Sequence, residues 1–152
     1  MTITNTEIIK ICKNNGIKLN DVIMKDQLKH VQLKNNLFLI INLQSSTQGN
    51  GTHWTALAVI DNQVCAFDSF GAVPSTEIVK WKGTKSLAYS KYIIQDLNST
   101  QCGLYCIAWL HYIQTNRLNI ANRYNDFVNM FDPDTKSNDR ILMSYLKDNK
   151  II

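Results

Sequence analysis

The sequence predicts an α+β protein: a small, mainly antiparallel sheet, a central buried helix and further helices packed around it. Three observations carry this. The run LFLIINL at 37–43 is strand-length and apolar from Leu37 to Ile41, the pattern of a buried strand. WTALAVI at 54–60 and QVCAF at 63–67 are two apolar runs separated only by Asp61-Asn62, the spacing of an antiparallel hairpin. The stretch 102–116 is apolar nearly all round, the pattern of a helix enclosed by a core.

The remaining elements follow in order. Thr4 and Glu7 stand at capping-box spacing, Ile3 and Ile8 suit a hydrophobic staple, and Gly16 supplies the stop of a first helix. Residues 17–36 are mixed and Lys-rich, with a short helical turn expected near 21–29. QSSTQGNGT at 44–52 reads as a polar loop. Pro74 and Ser75 open a short helix reaching about Lys82, and YIIQ at 92–95 reads as a further strand. Two amphipathic helices are expected near 123–131 and 136–148, divided by Asp132-Pro133.

At 152 residues, 45% hydrophobic and 18% charged, the chain fits one globular domain, 1–152. No apolar run approaches the roughly 20 residues of a membrane span. MTITNTEIIK lacks a basic region, an apolar block and a cleavage site, so no secretory signal is expected. The four cysteines, 12, 65, 102 and 106, form no CxxC pair. The three histidines do not join them at ligand spacing, so no metal site is expected. The thiols are expected to be free in a reducing compartment.

The net charge of +4 is uneven: six Lys against two Asp in residues 10–34, and four Lys with no acid in 80–91. Solvated helix faces and a footprint for a polyanion such as DNA both fit this pattern.

The hairpin has a chemical consequence. With Asp61-Asn62 as a two-residue turn, opposed positions sum to 123, so Thr55 faces Asp68 and His53 faces Phe70. His53 and Asp68 become diagonal neighbours on one face, about 7 Å apart at Cα. A carboxylate beside an imidazole fixes its tautomer and stabilises the imidazolium. Cys102, at the start of the central helix, stands where unpaired N–H groups and the helix dipole favour a thiolate. Its own N–H is a natural oxyanion donor, and the Gln95 side chain could be a second. Gly103 removes a side chain next to the sulfur, which would let a substrate backbone approach.

Each residue also has a plainer reading. Cys102 suits a core position, His53 a structural strand residue, and Asp68-Ser69-Phe70-Gly71 an Asx turn. Cys106, Cys65 and Cys12 are assigned to the core or a helix face, and His30 and His111 to structural roles.

Taken as an ordered set, GTHW at 51–54, CAFDSFG at 65–71 and QDLNSTQCGLYC at 95–106 resemble the adenovirus-type (adenain-like) cysteine endopeptidases. The chain resembles the related maturation proteases of virophages and polinton-like elements more closely, and the SUMO- and ubiquitin-like-specific proteases more distantly. The resemblance runs from the first helix to the last and implies a papain-like cysteine protease fold of the adenain/ubiquitin-like-protease type. By motif, His53 resembles the general base, Asp68 its orienting acid, Cys102 the nucleophile and Gln95 the oxyanion donor. Trp54 and Gly103 are candidate substrate-side residues, Trp54 as an aromatic beside the site.

The Gln-to-Cys spacing is adenain-like, whereas Asp at position 68 resembles the desumoylating enzymes. The resemblance further implies cleavage of capsid precursors at glycine-containing sites during virion maturation. It places a monomeric enzyme in the virion and the host's virus factory, not secreted and away from membranes, with no cofactor required. A DNA or viral-peptide activator belongs to the same expectation, but residues 70–94 hold no cysteine for a disulfide-linked peptide. A deubiquitinase- or desumoylase-like enzyme, and a scaffold or DNA-binding protein with a degenerate site, are the alternatives; the complete quartet disfavours the last.

Overall fold

A computed structural model of the chain describes residues 2–44 and 53–152; the loop expected over 44–52 therefore lies, from residue 45, outside the described residues. The chain runs α1 (Asn5–Asn14), β1 (Asp21–Met24), a 3-10 turn (Lys25–His30), β2 (Leu37–Asn42), β3 (Trp54–Ile60), β4 (Gln63–Phe67), α2 (Thr76–Lys82), β5 (Ser86–Tyr89), α3 (Cys102–Thr115), α4 (Ile120–Asn129), a 3-10 turn (Thr135–Ser137) and α5 (Asn138–Asp148). The strands form one sheet in the order β1-β2-β3-β4-β5.

Local chemistry explains the ends of these elements. The Thr4 hydroxyl accepts the Glu7 N–H while the Glu7 carboxylate accepts the Thr4 N–H, a complete capping box for α1. At the far end Gly16 turns left-handed (φ 65°), and the Ile17 N–H closes onto the Cys12 carbonyl. Asp61 and Asn62 both have positive φ, 51° and 64°, which is the backbone a two-residue hairpin needs to match the strand twist. The β3–β4 register follows, with Ile60 opposite Gln63 and Ala56 opposite Phe67.

The central pairings, β2–β3 and β3–β4, are antiparallel, while both edge strands join in parallel. Two expectations differ here. Where a helical turn was expected near 21–29, residues 21–24 form a strand whose side partner is β2, and only 25–30 coil. The segment 92–95 is not a strand: β5 takes the edge instead, and Ile94 and Gln95 donate their N–H groups to the single carbonyl of Ser69 at 2.9 and 3.0 Å. Apolar content made 92–95 look like sheet, but β4 was already paired with β5. The C-terminal helices lie close to their expected places, α4 starting three residues early behind its cap Asn119.

Strand alternation divides the core between the two faces of the sheet. Phe38, Ile40, Ala56, Ala58, Cys65 and Phe67 face α3, with α1, α4 and α5 around it. Leu39, Ile41, Leu57, Val59 and Val64 face the other way, onto Leu28 and Ile78 of the first 3-10 turn and α2. α3 is buried from Cys102 through Ile113 on nearly every side, with Trp109 stacked on Phe67 at 5.4 Å. A helix this enclosed is a rigid mount for whatever its N-terminus carries. Among the described residues no helix is long and apolar enough to cross a membrane.

Candidate active site

His53 directly precedes β3, and Asp68 directly follows β4. The hairpin register brings them together: His53 Nε2 and Asp68 Oδ1 lie 2.8 Å apart, both largely buried. Asp68 Oδ1 also accepts the Phe70 N–H at 2.8 Å, so the Asx turn and the imidazole contact coexist on one carboxylate. The Phe70 ring lies 4.9 Å from the His53 ring and packs the imidazole in place.

The start of α3 meets the start of β3. The Trp54 N–H points at Cys102 Sγ at 3.5 Å, and His53 hydrogen-bonds the same sulfur. Burial works against charge on both residues, and their mutual contacts overcome it. For His53, desolvation alone lowers the pKa, but the hydrogen bonds to Asp68 and Cys102 raise it to about 9. For Cys102, desolvation raises it, but the hydrogen bonds from His53 and the Trp54 N–H bring it below its ordinary 9.0. Both directions favour an imidazolium–thiolate pair. The other thiols move the opposite way: burial lifts Cys12 to about 11, Cys65 to about 12 and the fully buried Cys106 well above its usual value.

No side chain caps α3, whose preceding residue is Gln101. The first-turn N–H groups of a helix have no intrahelical partner, so this end is left free to receive negative charge. Gln95 is buried (1% exposed) in the segment leading to Cys102. Its Oε1 accepts the Ser69 hydroxyl, and its Nε2 donates to the Ser99 carbonyl at 3.0 Å. Ser69 therefore holds Gln95 twice, by backbone and by side chain. Sequence reasoning missed it, although strand alternation carried the signal: continuing past Phe67, Asp68 falls on the His53 side and Ser69 on the α3 side.

The structure thus gathers His53, Asp68 and Cys102, with Gln95 linked to the acid's own loop through Ser69. Trp54 and Gly103 do not fit the substrate-facing role expected of them. A Cβ on Gly103 would lie 2.1 Å from Ile3 Cγ2 and 3.2 Å from Trp54 Cδ1, so the space beside it is occupied by protein. Trp54 is buried and its indole N–H donates to the Ile3 carbonyl at 3.1 Å. Both form the wall behind the sulfur. His111 gains the partner its sequence hid, Tyr145, whose hydroxyl lies 2.6 Å from Nδ1. Among the described residues no group of three or more His, Cys, Asp or Glu side chains converges as a metal ion would require.

Such a constellation can attack a carbonyl carbon through sulfur, hold the oxyanion and return a proton through the imidazole. The fold is the α+β arrangement expected, a five-stranded sheet with helices that matches the papain-like folds of the ubiquitin-like-protease type. The structure of ChlaDub1 from Chlamydia trachomatis matches over 98% of this chain and 78% of its own, with a TM-score of 0.51 and 18% sequence identity. The ASFV pS273R protease aligns with 86% of this chain and 67% of its own, at a TM-score of 0.49 and 15% identity, and the fold assignment rests on ChlaDub1. No family model matches the chain, and no curated protein is similar to it in sequence.

Proposed function

We propose that the chain is a cysteine endopeptidase in which Cys102 is the nucleophile, His53 the general base and later acid, Asp68 its orienting carboxylate, and Gln95 with the Cys102 N–H the oxyanion hole. The observation that carries this is the His53–Asp68 contact of 2.8 Å beside a thiol whose pKa is lowered while the other three are raised. A structural cysteine has no use for that difference. In the cycle, His53 takes the thiol proton and the thiolate attacks the peptide carbonyl. His53 then protonates the leaving amine, and water, deprotonated by His53, hydrolyses the thioester.

The substrate reading is a virus-encoded maturation enzyme acting on capsid precursors at glycine-containing sites, working in the virion and virus factory as a monomer without a required cofactor. Its support is the adenain-like spacing from Gln95 to Cys102 and the burial of Cys102 at 3% exposure, which favours a slender, Cβ-free segment at the scissile bond. A polyanion such as DNA is a further partner in this reading. Lys25, Lys29 and Lys80 line one groove beside Trp81, joining the two Lys-rich segments, though Asp26 and Glu77 share it. The fold likeness to ChlaDub1 favours a second reading, a peptidase acting on ubiquitin-like conjugates.

One experiment addresses both. Purified protein and Cys102→Ala are incubated with co-encoded capsid proteins, with and without DNA, and with C-terminally labelled ubiquitin-like substrates, and new termini are mapped by mass spectrometry. Capsid cleavage lost in Cys102→Ala is the expected result. Turnover of the ubiquitin-like substrates alone would replace the first reading by the second. Full cleavage by Cys102→Ala would remove the mechanism.

A further inference from the structure

Gln95 belongs to no helix or strand, and neither does the loop from Asp96 to Gln101. An oxyanion donor on such a segment needs something other than regular backbone pairing to hold it, since a misplacement of about 1 Å at a reacting centre can lower the rate about 100-fold. Ser69 supplies part of that support. The rest comes from the far end of the chain.

Three side chains, one in the 3-10 turn before the last helix and two in that helix's first turn, reach this loop at three separate points. The Asn138 amide donates to the Ile94 carbonyl at 2.8 Å, immediately before Gln95. The Thr135 hydroxyl donates to the Asp96 carboxylate at 2.8 Å, immediately after it. Asp139 Oδ1 accepts the Ser99 hydroxyl at 2.8 Å. Asn138 is fully buried and doubly tied to Asp132, whose N–H it accepts and to whose carbonyl it donates, so it cannot swing away.

Ser99 is the hub of the loop. Its proton is committed to Asp139, which leaves its lone pairs to accept the Gln101 N–H at 3.2 Å and the Gln95 amide at 3.3 Å. That fixes the turn so that the Ser99 carbonyl meets Gln95 Nε2 at 3.0 Å. Asp139 Oδ1 also takes the hydroxyl of the fully buried Tyr105 at 2.9 Å, one turn into the helix that begins with Cys102. One carboxylate oxygen therefore joins the oxyanion loop to the nucleophile's helix. An acid in the first turn of a helix is favourable on dipole grounds alone. That reason does not explain why hydroxyls from two other elements converge on it.

We infer that the start of α5 is a brace for the oxyanion hole, in which Asp139, acting through Ser99, is a positioning residue for the Gln95 amide. The inference rests on the peptidase reading and on Gln95 as a donor; neither Asp139 nor Ser99 touches the substrate.

The test uses Asp139→Asn and Ser99→Ala in the full chain, with three measurements. The first is hydrolysis of a Gly-Gly-aminomethylcoumarin peptide. The second is inhibition by the matching peptidyl aldehyde, whose adduct with Cys102 places an oxygen in the hole. The third is alkylation by iodoacetamide, which forms no oxyanion. The expected result is a fall in kcat/KM of about 10- to 100-fold, mostly in kcat, with aldehyde affinity falling by a similar factor and alkylation within about two-fold of wild type. Adding Asp139→Asn to Gln95→Ala should then cost less than about two-fold further, because the donor it positions is already gone.

Unchanged hydrolysis in both variants overturns the inference. So does a parallel fall of all three measurements, which would mean that the nucleophile itself had been disturbed. Ser99→Ala keeps the test decisive if Asp139→Asn does not fold, because it leaves the Asp139–Tyr105 bond in place. A wild-type protein that neither hydrolyses the peptide nor binds the aldehyde would sink the peptidase reading itself, a result distinct from active wild type with unaffected variants.

Discussion

Asp68 holds His53 through Nε2, at 2.8 Å, and that leaves Nδ1 as the ring nitrogen available to the Cys102 sulfur. Asp68 thus decides which ring nitrogen is left for the sulfur, and its hydrogen bond and charge help raise the His53 pKa to about 9.

Replacing Asp68 by Asn preserves an oxygen for the Phe70 N–H while removing the charge. The His53 pKa should then fall from about 9, since burial lowers it and of the raising contacts only those with Cys102 remain at full strength. The alkaline limb of the kcat/KM–pH profile should move down with it, and activity at neutral pH should drop at least about 10-fold, the serine triads losing about 10⁴ for the same change. An alkaline limb that stays near pH 9 would show that Asp68 does not control this proton.

Alkylation should single out Cys102. Its lowered pKa means that the thiolate is present above that value and is lost as pH falls through it. Cys12, Cys65 and Cys106, all buried with raised pKa values, stay neutral thiols at pH 7 to 8. Iodoacetamide in mild excess should therefore modify one cysteine, with a rate that rises at lower pH than for an ordinary thiol. Peptide mapping that found Cys12 or Cys106 modified as fast would contradict the pairing. Hydrolysis should show a bell: its acid limb marks loss of the thiolate, its alkaline limb loss of the His53 proton near pH 9.

Two glycines with similar backbones should behave differently. Gly16 and Gly71 both have left-handed φ, 65° and 70°. An added Cβ meets nothing within 4 Å at Gly16, but at Gly71 it would lie 2.6 Å from the Lys91 carbonyl oxygen and 2.9 Å from that of Tyr92. Gly16→Ala should cost about 1–2 kcal/mol for the conformation alone, with activity unchanged. Gly71→Ala should cost about 2–5 kcal/mol, because backbone cannot yield as a side chain can. It should also reduce activity, since Gly71 lets the loop carrying Asp68 lie close against the segment that leads to Gln95. Urea denaturation of both variants beside activity assays gives the comparison; equal losses of stability would refute the close approach.

The sequence by itself determined the elements whose information is local. The capping box of α1 needs only Thr4 and Glu7. The β3–β4 register needs only Asp61 and Asn62 in a left-handed turn, and once that is set, His53 and Asp68 are neighbours across a span of 15 residues. The enclosed helix after Cys102 is legible because no solvated face interrupts it. Tertiary structure alone decided what depends on distant partners. β1 and β5 are short edge strands defined by the neighbours they join, and 92–95 loses its strand character because the edge it would occupy is taken. Gly103 proved to make room for Ile3 rather than for a substrate, a contact spanning the length from the N-terminal segment to the central helix. The bracing of Gln95 was the least legible, since Asn138 and Asp139 lie some 40 residues on and their bonds form only when α5 packs against the loop. Hydrogen bonds between side chains leave no periodic trace in sequence, whereas turns, caps and buried faces do.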